Sequence, residues 1–214
     1  MTDKLIDIYD EKMNRLGTAT REQAHREGLW HKTFHCWIMQ KSPQGRVQVL
    51  LQVRGRNQNH PSLIDISSAG HIAAGADPKT DGIANIAKEL GLQVNPGQLI
   101  KLFTDTHVFQ QADYINHEFT PTYLLESPVP LENYQLNPHE VEGVFVADVE
   151  DLLNLFRQKV DQVFISGLIS NGTEQFVPHS GSIRREDFVP HTDTYFIKVM
   201  EAIQRYYRGM NVAC

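Results

Sequence analysis

Apolar and polar residues alternate at a period of two in several short stretches, the pattern of strands with one buried face. Ile6 and Ile8 alternate in a first short strand, and residues 10–17 are rich in turn formers. Residues 33–39 predict a longer strand with Phe34, Cys36 and Ile38 on one face. Turn chemistry at Ser42-Pro43-Gln44-Gly45 leads into residues 47–53, where Val47, Val49, Leu51 and Val53 share a face, so the two stretches predict a hairpin. Residues 63–68, 99–106, 113–125 and 141–148 read as further strands. A helical spacing covers residues 80–90, opened by Asp77-Pro78 and stopped by Gly91. Asp148 caps a second helix through Phe156. Phe196, Val199, Met200, Ile203 and Tyr207 line one side of a final amphipathic helix over 194–208. Residues 20–28 suit a short helix or a loop, and 54–61 and 171–185 read as loops. Strands and helices mix without strict alternation, which predicts an α/β fold with a mixed sheet between helices.

The chain has 214 residues, 41% of them hydrophobic, enough for one substantial core. The expectation is a single domain over 1–214, with an N-terminal extension over 1–30, a core over about 30–160 and a C-terminal extension over about 160–214. The net charge of −6, with no basic run, excludes the charge pattern that holds nucleic-acid phosphates. Cys36 and Cys214 make no framework of spaced pairs and read as two reduced thiols, pointing to a cytoplasmic protein. The acidic start of the chain is no secretory signal. No apolar run reaches the roughly 18 residues that a membrane span needs. Ten histidines add ligands and proton carriers rather than charge.

Residues 70–92 form one unit of loop, helix and glycine stop, and this unit resembles the Nudix box. Gly70 stands at its first glycine, Ile86 and Leu92 at aliphatic positions, Glu89 at its last glutamate and Gly91 at its last glycine. Ala76 stands at the loop glutamate, Ala84 and Asn85 at the Arg-Glu pair, and Lys88 at the first of the paired glutamates. Further stretches are similar to the family's branch around isopentenyl diphosphate isomerase: Ala24-His25 to His31, Asp65 to His71, Tyr114 to Phe119, and Phe188-Val189-Pro190. Residues 160–185 carry the resemblance least.

The resemblance implies a Nudix-type α/β/α sandwich, a diphosphate-type small-molecule ligand and magnesium held by box carboxylates one helical turn apart. On this chain, 81, 85, 88 and 89 would share a helix face and present Asp81, Asn85, Lys88 and Glu89. The expectation is therefore weak magnesium binding and weak or absent diphosphate hydrolysis, with Lys88 paired to Glu89 or Glu118. The resemblance also implies catalytic or metal roles for Glu89 and Glu118, with His25, His31 and His71 near the histidines of the isomerase's metal site. Asn116 replaces an acid of that site, and Ala69 replaces its cysteine, so proton transfer from position 69 is excluded. His71, Arg54, Arg56 and Lys88 are the candidate ligand-binding residues. Three readings stay open at this point: a small-ligand-binding Nudix fold with weakened catalysis, an active hydrolase of a nucleoside or isoprenoid diphosphate using Glu89, Glu118 and Asp81, and a protein–protein scaffold or homodimer.

Overall fold

A computed structural model describes residues 4–56, 60–111 and 114–210; Cys214 and Asp113 lie outside the described residues. The chain opens as an antiparallel ribbon of β1 (Leu5–Tyr9) and β2 (Arg15–Thr20). Its turn is fixed by Asp10, whose carboxylate accepts from the backbone N–H groups of Lys12 (2.9 Å) and Asn14 (2.8 Å). The turn-rich composition of 10–17 thus belongs to a hairpin and hides the start of β2. Helix α1 (Arg21–Glu27) is capped by Thr20, whose hydroxyl accepts from Gln23 N–H at 3.1 Å, and it ends on Gly28 at φ 65°.

β3 (Trp30–Lys41) and β4 (Val47–Arg54) form the expected hairpin. The strand expected over 63–68 is instead two short strands, β5 (Ile64–Asp65) on β4 and β6 (Ser68–His71) on β3. Between them the Ser67 hydroxyl donates to Leu50 O (2.6 Å) and accepts from Ile38 N–H (2.8 Å), filling the gap where β4 leaves β3. Helix α2 (Pro78–Leu90) starts at Asp77, which accepts from the N–H groups of Lys79 and Thr80, and stops on Gly91 at φ 68°.

β7 (Ile100–Gln111) and β8 (Tyr114–Glu126) make a long hairpin, and β8 runs parallel to β3. β9 (Val141–Asp148) leads straight into α3 (Val149–Phe156), with Asp148 as the cap. The stretch 171–185, expected as loop, instead contains β11 (Phe176–Ile183), paired in unbroken register with β10 (Val163–Ser170). Helix α4 (Asp193–Tyr207) closes the described chain.

The main path through the sheet is β11-β10-β9-β4-β3-β1-β2, with β5, β6, β7 and β8 attached beside it. Helices cover both faces. Phe34, Cys36 and Ile38 pack with Ile86 and Leu90 of α2, whereas Trp37 and Met39 pack with α3 and α4. Phe156 and Phe196 stack at 4.0 Å between ring centres and lock α3 to α4. Even-numbered positions of β3 from Phe34 to Ile38 therefore look towards α2, and the odd-numbered positions look the other way. Among the described residues no helix is long and apolar enough to cross a membrane.

Candidate functional site

The loop and helix of residues 70–92 hold their shape through contacts that the sequence frame foreshadows. Gly70 sits on β6 where a Cβ would lie 3.3 Å from the Asn85 amide, so the helix approaches the strand closely. Ile86 and Leu92 are buried in the α2-side core. Asp81 accepts from Ala73 N–H at 2.7 Å and so ties the loop to the helix. The Asn85 amide donates to Ala69 O (2.9 Å) and Ser68 Oγ (3.2 Å), and Ser68 Oγ donates to Glu89 Oε2 (2.7 Å). Burial pushes the Glu89 carboxyl up to about 7, against the hydrogen bonds from Ser68 and Asn85. Glu89 is thus a buried, hydrogen-bonded carboxyl facing the α2 side of the sheet.

The other box position expected to face the site turns away. Lys88 is exposed and pairs with Glu140, so it contacts neither Glu89 nor Glu118. Arg54 pairs with the buried Asp65, and Arg56 is exposed and pairs with Glu142 at 3.3 Å. Arg56 and Lys88 therefore meet on one segment, Glu140 to Glu142, whose Glu140 carbonyl also accepts from Gly55 N–H at 3.2 Å beside Arg54, while His71 lies among the histidines. Glu89 and Glu118 do not share a site. Ser68, the partner of Glu89, pairs with Cys36, while Glu118 pairs with His31. Positions 31 and 36 of one strand face opposite sides.

The odd-numbered face gathers the histidines. His25 comes from α1, His31 from β3, and His71 from the end of β6. One ligand atom from each lies within 4.8 Å of the other two. His25 Nε2 and His71 Nε2 are 2.9 Å apart. His31 Nδ1 is 2.8 Å from Leu29 O, so Nδ1 donates its N–H to that carbonyl. His31 Nε2 is buried without a hydrogen-bond partner, 3.6 Å from Glu118 Oε1. Burial alone would push Glu118 up, yet the neighbouring His31 and His71 hold it below the ordinary carboxylate range. An unpartnered imidazole nitrogen beside a carboxylate suits a cation held between them, a proton or a metal. A second buried orphan, Asn116 Oδ1, stands two residues before Glu118 on the same face of β8.

Burial lowers the His25 pKa to about 4 and lowers that of His71 as well, so both rings are neutral at pH 7. Arg21, at the first position of α1, adds positive potential that lowers both. The sequence reading missed Arg21; its place one residue after a Thr cap, with His25 one turn on, was the available signal.

No family model matches the chain. An uncharacterized Nudix hydrolase of Clostridium acetobutylicum is 30% identical over 207 residues, covering 97% of this chain and all of that protein. Nudix hydrolase 3 of Arabidopsis thaliana is 28% identical over 96% of this chain, which spans only 26% of that longer protein. A crystal structure of a Deinococcus radiodurans protein superposes with a TM-score of 0.56 at 20% identity, covering 72% of this chain and 90% of that one, a likeness of fold alone. The first of these likenesses runs end to end, through the box and the histidine-bearing elements alike, and on that footing the chain belongs to the Nudix hydrolase family.

Proposed function

We propose that this Nudix protein binds a diphosphate-type small molecule at a divalent metal held by His25, His31, His71 and Glu118, and that its box helix builds no magnesium site. The observation that carries the reading is the buried, unpartnered Nε2 of His31 facing the Glu118 carboxylate at 3.6 Å. Two ligands each about 2.1 Å from a shared cation stand roughly 3.0–3.6 Å apart, so this spacing fits coordination better than a hydrogen bond. Imidazole nitrogens with one carboxylate suit zinc, manganese or cobalt more than magnesium, which takes oxygen ligands. The Leu29 carbonyl behind His31 is the kind of outer partner that fixes a ligand's tautomer. Arg21 supplies positive charge beside the histidines for an anionic ligand.

The α2 side supports the negative half of the reading. Asn85 and Lys88 supply no carboxylate, Asp81 is spent on Ala73 N–H, and Glu89 is spent on Ser68. When bound, an ion at the histidines supplies Lewis-acid polarisation of a phosphoryl oxygen. Arg21 would orient the anion, and Glu118 would hold the charge balance. A second reading, turnover at this centre, is favoured by the three converging histidines His25, His31 and His71, which would hold an ion able to activate water.

Calorimetric titration tests the first reading. Zinc should bind the parent at micromolar or tighter concentration and lose that affinity in His71→Ala, while magnesium binds no tighter than millimolar. Micromolar magnesium binding that survives His71→Ala would overturn it. Turnover of a nucleoside diphosphate sugar with magnesium alone at an ordinary rate, about 1–10³ per second, would overturn it as well. Zinc- or manganese-dependent phosphate release that disappears in Glu118→Gln would establish the second reading.

A further inference from the structure

Strands β10 and β11 are joined by the turn Asn171-Gly172-Thr173-Glu174-Gln175, all of it exposed. Asn171 N–H donates to Gln175 O at 3.1 Å and closes the turn. Nowhere else in the chain is an asparagine followed by a glycine. Gly172 stands at φ 87°, and a Cβ there would meet nothing within 4 Å. The main-chain nitrogen after an asparagine can attack the side-chain amide carbon. A following glycine, with no Cβ and a free φ, leaves that approach most open.

We propose that Asn171-Gly172 is a self-modification site, where the folded turn promotes deamidation of Asn171 with help from Ser170 and Thr173. Gly172 N forms a bond to Asn171 Cγ and gives up its proton. The Cγ–Nδ2 bond breaks, and Nδ2 leaves as ammonia with that proton, which closes a succinimide ring. Water then opens the ring at either carbonyl. One opening yields aspartate at 171, and the other yields isoaspartate, whose main chain is one methylene longer. The sum is asparagine and water in, an acid and ammonia out, with nothing oxidised or reduced.

The hydrogen bonds of the turn serve each stage of this step. Gly172 N–H donates to Ser170 Oγ at 3.2 Å, while the Ser170 hydroxyl proton goes to Thr173 O at 3.1 Å. Ser170 Oγ therefore turns a lone pair to the attacking nitrogen and stands where its proton must leave. Asn171 Oδ1 accepts from Thr173 N–H at 3.0 Å and from Thr173 Oγ1–H at 2.5 Å. Thr173 Oγ1 accepts in turn from Gln175 N–H at 3.2 Å, which leaves its proton for Asn171. Two donors on the oxygen where negative charge develops stabilise the tetrahedral intermediate as an oxyanion hole does. An amide oxygen bonded to the N–H two residues on also holds its carbon over the intervening peptide, the direction in which the ring closes. The product matters to the hairpin. Neither β10 nor β11 carries Asp, Glu, Lys or Arg, and their register begins at Ser170 and Phe176, beside the turn. A longer main chain at 171 works against that register.

Incubation of the folded protein in mildly alkaline buffer made with heavy-oxygen water, followed by peptide mapping by mass spectrometry and by ion exchange, tests the proposal. Asn171 should lose its amide ahead of every other asparagine, take up solvent oxygen, give both acids and leave the chain one charge more negative. The folded parent should react faster at this position than the same chain in urea. Ser170→Ala and Thr173→Val, each shown to be folded by circular dichroism, should slow the reaction several-fold. Asn171→Gln should remove the product on the same time scale. A folded rate no greater than the rate in urea overturns the proposal, as does a rate unchanged by either Ser170→Ala or Thr173→Val.

Discussion

The two faces of β3 differ in how their polar groups are paired. Towards α2, Ser68, Asn85 and Glu89 form a closed chain of hydrogen bonds, and Asp81 is bonded to the loop. On the other face, His31 Nε2, Asn116 Oδ1 and His107 Nε2 are buried with no partner. Native proteins rarely leave such atoms unpaired unless a ligand, water or ion completes them. The family motif lies on the side that is already complete. The groups that still need a partner lie on the side that the motif does not describe. A frame can be kept for packing while unpaired polar groups gather on the opposite face.

The largest expected effect comes from opening the unpaired face. His31→Ala should weaken zinc binding by about a hundredfold to a thousandfold, since roughly 10–16 kcal/mol of structural zinc binding is shared among about four ligands. Equal zinc affinity in parent and variant, by competition with a chelator, would sink the contrast between the faces.

Glu89 offers the sharpest probe of the closed face. Its pKa is raised from 4.5 to about 7, so the folded protein holds this proton more tightly than the unfolded chain. The resulting stability is fully present below pH 4.5 and is lost as pH rises through about 7. Ionised Glu89 then costs on the order of 3 kcal/mol above that window. Glu89→Gln should therefore be more stable than the parent at pH 8 and differ little at pH 5. Urea midpoints at the two pH values measure this, and an equal difference at both would show that Glu89 is not buried as a neutral acid.

Packing on the same face gives the next effect. A Cβ at Gly82 would meet the Phe34 ring at 2.3 Å. Gly82→Ala should cost about 1–3 kcal/mol by overpacking, outweighing the roughly 1 kcal/mol that alanine gains in a helix interior. A rise in Tm would mean that α2 can shift off the sheet.

The smallest effect is expected at Lys88. Its pair with Glu140 is exposed, so Lys88→Ala should change stability by less than about 1 kcal/mol and leave zinc affinity unchanged. A clear change in metal affinity would place the ammonium nearer the histidines than the Glu140 contact allows.

Much of the fold was legible because it rests on local rules. The caps at Asp77 and Asp148 and the stop at Gly91 stand where their side chains and φ preferences place them. The face shared by Phe34, Cys36 and Ile38 follows from alternation. β10 and β11 were not legible. Their outer face is exposed, Phe164 included, and β11 carries Pro178, Ser180, Gly181 and Ser182, a composition that reads as loop. It becomes a strand only by pairing with β10.

The site was legible in pieces. Resemblance singled out His25, His31, His71 and Glu118, which the structure gathers together. It also joined Glu89 to Glu118, which sheet register separates. Register depends on which residue pairs with which across strands, and a list of spacings within one segment does not contain it. Arg21 was missed for the same reason, since it approaches the histidines from a different element.

The alternation along β3 has a consequence for how such a protein changes over generations. Odd letters of the strand write the histidine groups, and even letters write the packing under α2. A substitution at 31 or 35 alters the histidines without touching α2, and one at 34 or 36 alters the packing under α2 without touching the histidines. Selection can therefore tune the two halves nearly independently, one letter apart. An inserted or deleted residue between 31 and 37 would exchange them at once, so variation in this stretch should run through replacements and not through changes of length.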